Sequence, residues 1–149
     1  GVSFIGATGT VKTLTIKNNS ASYGGGVYVQ ETDSSVTFTG MNINDNTATN
    51  SGGGFYIDTG SVTLNSDVNV HQNKAGYGAG VFVEGGTVNL KNKIYKNEAT
   101  YYGGGMHMTG GTVDVAGAYF CSSSSNTTLP TGKSQAIGAG GNYYQLHVL

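Results

Sequence analysis

The 149-residue chain has no tryptophan, no arginine, one proline and one cysteine. Each shortage removes a class of protein. A lone Cys121 cannot close an intramolecular disulfide, so a disulfide-stapled fold is excluded, and its ordinary role is that of a small buried apolar side chain. All seven basic residues are lysine, the net charge is −1 and no basic run occurs. Binding nucleic acid by neutralising phosphates therefore has little to work with. No apolar stretch approaches the ~20 residues of a membrane-spanning helix, and no secretory leader opens the chain. The sequence reads as a mature protein or an excised portion of one. His107 has no His, Cys or carboxylate companions at metal-ligand spacing, so neither a metal nor another cofactor is expected.

Glycine is what the chain has in excess, with 26 residues. They recur at a fixed register, which argues against disorder. Four stretches say nearly the same thing: Asn19 to Val29, Asn46 to Ile57, Asn73 to Val83 and Asn97 to Met108. Each reads Asn-x-Ala, a short polar spacer, a Gly-rich triplet, then hydrophobic, aromatic, hydrophobic. The asparagines fall 27, 27 and 24 positions apart, and self-similarity at such a period marks a stacked repeat.

Three strands per repeat follow from the alternation. After the triplet come Val27-Tyr28-Val29, Phe55-Tyr56-Ile57, Val81-Phe82-Val83 and Met106-His107-Met108, with the outer pair facing in and the middle residue out. Turn residues such as Thr59-Gly60 lead to Val36-Thr37-Phe38, Val62-Thr63-Leu64, Val88-Asn89-Leu90 and Val113-Asp114-Val115. A short third strand carries Ile43, Val70 and Ile94. The expected fold is all-β: a parallel β-helix, or β-solenoid, of about five to six turns of 24–28 residues. It forms one domain over 1–149 with an irregular polar loop near 122–137 that holds Pro130. Asn19, Asn46, Asn73 and Asn97 are expected to form a structural ladder, each amide satisfying backbone at a sharp bend and bonding to the next.

Ile43-Asn44-Asp45-Asn46 followed by Gly52-Gly53-Gly54-Phe55 resembles the repeats of chlamydial polymorphic outer-membrane proteins and related right-handed β-helix surface proteins. In that family the pair is Phe-x-x-Asn and Gly-Gly-Ala followed by Ile, Leu or Val. Here Ile16, Ile43, Val70 and Ile94 stand for the phenylalanine, which Phe120 keeps. The resemblance implies a right-handed, extracellular or cell-surface β-helix, of the kind found in adhesins and autotransporter passengers.

Candidate sites come from the outward positions. Tyr28, Tyr56, Phe82, His107 and Tyr143 form an aromatic column that either stacks upon itself or binds a partner, a surface glycan or a second solenoid. In the next column Asp58 and Glu84 stand one rung apart, near the spacing of a retaining glycosidase pair. No basic residue shares that column, so the chain is expected not to be an enzyme. Asn18 and Asn126 head sequons for N-glycosylation. The lysines Lys91, Lys93 and Lys96 read as a soluble edge.

The chain opens inside one first strand, at Gly1-Val2-Ser3-Phe4, and stops soon after another. No capping helix or charged terminal repeat covers either place, which natural solenoids normally have. The expected function is an extracellular structural subunit that assembles with itself, head to tail, into a fibre. An adhesin or autotransporter passenger segment is the alternative, and a polysaccharide-binding or polysaccharide-degrading β-helix a second.

Overall fold

A computed structural model of the protein describes residues 1–120 and the backbone of two later strands, Thr127–Thr128 and Tyr143–Gln145. It is a parallel β-solenoid of five turns and the first strand of a sixth, with no helix among the described residues. Cys121, Asn126 and the polar loop near 122–137, apart from the Thr127–Thr128 strand within it, lie outside the described residues.

Each turn contributes one strand to each of four parallel sheets. The first sheet stacks Val2–Ile5, Val27–Gln30, Phe55–Ile57, Val81–Val83, Met106–Met108 and Tyr143–Gln145. The second sheet stacks Thr8–Lys12, Ser35–Thr39, Ser61–Leu64, Thr87–Leu90 and Thr112–Asp114. Strands such as Asn42–Asn44 and Asn69–His71 make the third sheet. The fourth sheet corrects the three-strand expectation. The stretch read as a polar spacer is itself a strand in every turn: Ser20–Tyr23, Thr47–Ser51, Lys74–Tyr77 and Glu98–Tyr102, with Thr127–Thr128 last. Polar residues suffice there because the strand buries little besides its alanine, Ser51 and Gly76 being the other buried positions; Ala48, Ala75 and Ala99, with Ala79, form a small cluster of their own.

The main core is a stack of like residues. Val62 pairs with Val36 on one side and Val88 on the other, Val70 with Ile43 and Ile94, and Val81 with Phe55 and Met106. All of these are buried, at about 1.5–3 kcal/mol of apolar transfer each. Asn92 is the exception. It follows Met41 and Val68 in one buried column, is itself fully buried, and its Oδ1 has no hydrogen-bond partner.

Two corners set how tightly the turns close. Where the third sheet gives way to the fourth, Asn18, Asp45, Gln72 and Lys96 all take left-handed φ of 55–58°. None is glycine, so each carries a strain of about 1 kcal/mol or more. The buried asparagine that follows offsets it. Asn46 Nδ2 donates to the Ile16 carbonyl at 2.9 Å and to Asn73 Oδ1 at 3.1 Å, while Asn73 Oδ1 also accepts from the Asn46 backbone N–H at 3.1 Å. Asn73 repeats this arrangement with Ile43 and Asn97, and Asn19 donates to Asn46 from both its nitrogens.

The second corner is the glycine triplet. Gly24, Gly52, Gly78 and Gly103 take φ of 55–71°, and the third glycine lies against the next turn. A Cβ on Gly54 would stand 2.5 Å from the Gly80 carbonyl oxygen and 2.8 Å from Val70 Cγ1.

Candidate functional site

Strand alternation sends the middle residue of each first-sheet strand away from the core, and parallel register sets those residues in line. Ser3 pairs with Tyr28, Tyr28 with Tyr56, Tyr56 with Phe82, and Phe82 with His107. The rings stack: Tyr28 on Tyr56 at 5.1 Å and 3°, Tyr56 on Phe82 at 5.1 Å and 8°, Phe82 on His107 at 5.4 Å and 28°. The structure thus brings Tyr28, Tyr56, Phe82 and His107 together. Tyr143 is not among them. In the backbone register His107 pairs with Tyr144, and Tyr143 with Met106. A shift of one residue exchanges the inward and outward sets of a strand, and aligning this segment on its glycines misplaced it by that one residue.

The column is also not an exposed strip. Tyr56, Phe82 and His107 are buried and Tyr28 is half-buried. The cover comes from the fourth sheet, where the residue just before each glycine triplet forms a second column of Tyr23, Ser51, Tyr77 and Tyr102. Tyr23 leans edge-on against Tyr56 at 5.1 Å, and Tyr102 stacks on His107 at 5.8 Å. A register irregularity in the fourth sheet hid this column from strand counting, because turns two and four carry one more residue before the glycines. The tyrosine directly ahead of three of the four triplets was its sequence signal.

Asp58 and Glu84 each follow a first-sheet strand and are tied to tyrosines. The Tyr56 hydroxyl donates to Glu84 Oε2, and Asp58 stands near enough to Tyr28 to act on its phenol electrostatically. Burial, then the hydrogen bond and charge of Glu84, raises the Tyr56 phenol well above its ordinary range; burial and the two acids raise Tyr28 less. Burial lowers His107 to about 4. At neutral pH the Tyr28 and Tyr56 phenols and the His107 imidazole are therefore all neutral. Gln30 and Thr109 continue the acid column in the neighbouring turns. No group of three His, Cys, Asp or Glu able to hold a metal occurs among the described residues.

The remaining sites stand elsewhere. Asn18 is exposed at the left-handed corner, directly before Asn19. Lys91, Lys93 and Lys96 are exposed. Lys74 and Glu98 form a surface ion pair at 3.6 Å, which contributes little in solvent.

No family model, no curated protein and no solved structure matches the chain.

Proposed function

We propose that the protein is an extracellular structural element, a solenoid rod that stacks on further copies of itself into a fibre and performs no catalysis. The observation that carries this is the sameness of the junctions between turns. Through turns two to four the same backbone pairing and the same valine, alanine, glycine and asparagine columns join each turn to the next. A turn supplied by a second copy meets the pattern that its own neighbour meets. Parallel edges carrying unpaired backbone groups associate readily, and a heterologous contact that does not close gives a filament.

The acid pair supports the non-catalytic reading. A retaining glycosidase needs one carboxyl held as an acid beside a free nucleophilic carboxylate, whereas Glu84 is bonded to the Tyr56 hydroxyl. The exposed Asn18 has room for a glycan, in keeping with an extracellular place. Sedimentation velocity of the native full-length protein across a dilution series tests the proposal. Species that grow with concentration, without a fixed stoichiometry, are expected. A single species of constant size at all concentrations overturns it.

A further inference from the structure

The tyrosine column of the fourth sheet has one gap. Ser51 stands where the turns on either side have Tyr23 and Tyr77, with which it pairs in register. Those two tyrosines are therefore two rungs apart, about 9.6 Å along the axis, and one ring is missing between them. The ring contacts of Tyr77 all lie on one side, with Tyr101, Tyr102 and His107 of the following turn. Its other face looks toward the gap. The gap is the head of an open groove of about 310 Å³, floored by Tyr56 and Phe82, at the small end of ligand-site sizes.

We infer that this groove binds one pyranose ring of a neutral saccharide. The floor offers ring edges, because Tyr56 and Phe82 spend their faces on each other. The free face belongs to Tyr77. Around it the rim is polar. Asn50 is held in place by donating from Nδ2 to the Tyr23 hydroxyl at 2.7 Å, and Glu84 keeps Oε1 while Oε2 accepts from Tyr56. Thr109 adds a hydroxyl on the same side as Glu84.

A pyranose matches this arrangement because it has one face of C–H groups, for Tyr77, and a belt of hydroxyls, for Asn50, Glu84 and Thr109. A flat aromatic ligand would fill the gap but leave those polar groups without partners, which costs affinity. A uronic acid would bring a carboxylate to Glu84, with Asp58 one rung behind, and be repelled. Among the described residues the gap occurs in turn two alone, and the site does not depend on assembly into a fibre.

Ser51→Tyr restores the column at a place where three other turns already hold tyrosine, so it fills the groove without changing the backbone. Tyr77→Leu removes the stacking face and keeps apolar volume. The full chain and both variants are titrated by saturation-transfer NMR and tyrosine fluorescence against maltotetraose, cellotetraose, laminaritetraose and mannotetraose, with tetragalacturonate as the acidic comparison. At least one neutral tetrasaccharide is expected to bind, tetragalacturonate is not, Ser51→Tyr abolishes binding and Tyr77→Leu weakens it about tenfold. No binding by any neutral member, equal binding of tetragalacturonate, or binding undiminished in Tyr77→Leu or in a folded Ser51→Tyr overturns the assignment.

Discussion

Asn73 is bonded on both sides of its turn, accepting from the backbone and side chain of Asn46 and donating to the Ile43 carbonyl and to Asn97. Leucine is close to it in size but would leave those buried groups without partners, at about 1–3 kcal/mol apiece before relaxation. Asn73→Leu is expected to cost roughly 3 kcal/mol or more, a melting temperature lower by about 10 °C in a chain of this length. Thermal unfolding followed by circular dichroism reads the change; an unaltered midpoint would remove the ladder from the account. His107 makes a second residue-scale prediction. Its folded pKa of about 4 lies below the unfolded value of about 6.5, so the unfolded chain binds the extra proton between them. Stability is full above about pH 6.5 and falls as pH drops toward 4, by roughly 3 kcal/mol. Urea unfolding across that range should show the loss, and His107→Phe, which extends the stack from Phe82, should flatten it.

At the scale of the strand and corner, Gly54→Ala is the sharpest test of how closely turns pack. The new Cβ meets the Gly80 carbonyl and Val70, both fixed by their own turn, so the variant is expected to lose about 3 kcal/mol. Denaturant titration measures it, and a loss under about 1 kcal/mol, the intrinsic cost of a backbone change, would contradict the close approach. The middle triplet position holds Ala79 in turn three, yet a Cβ on Gly53 would stand 2.5 Å from the Lys74 carbonyl oxygen, so turn two needs glycine there as well. The triplets, the inward valines and the asparagine period were legible in the sequence because each is a residue type with one physical use, repeated at one spacing. The fourth sheet was not, because Thr47-Ala48-Thr49-Asn50-Ser51 buries only two small side chains, Ala48 and Ser51, and a backbone bulge breaks its alternation. For the same reason the aromatic column was legible but its cover was not. Tyr23 and Tyr77 look like loop residues until the bulge sets them over Tyr56, Phe82 and His107. The left-handed run of Asn18, Asp45, Gln72 and Lys96 left no signal either, since only the first two types favour that conformation.

At the scale of the whole molecule, stability rests on one property, that a turn packs on a turn, and the proposed function extends that property from one copy to the next. Interior columns of like residues make the stack quasi-one-dimensional, so stability grows with each junction formed. In the proposed fibre, a junction between two copies would use the kind of contacts that join turns within one. The most direct test is electron cryomicroscopy of the native full-length material at high concentration. Unbranched filaments are expected in which successive turns rise about 4.8 Å, with the four parallel sheets continuing in register across the boundary between copies. Discrete particles, or filaments joined side by side with the axial stack interrupted at every copy, would contradict it.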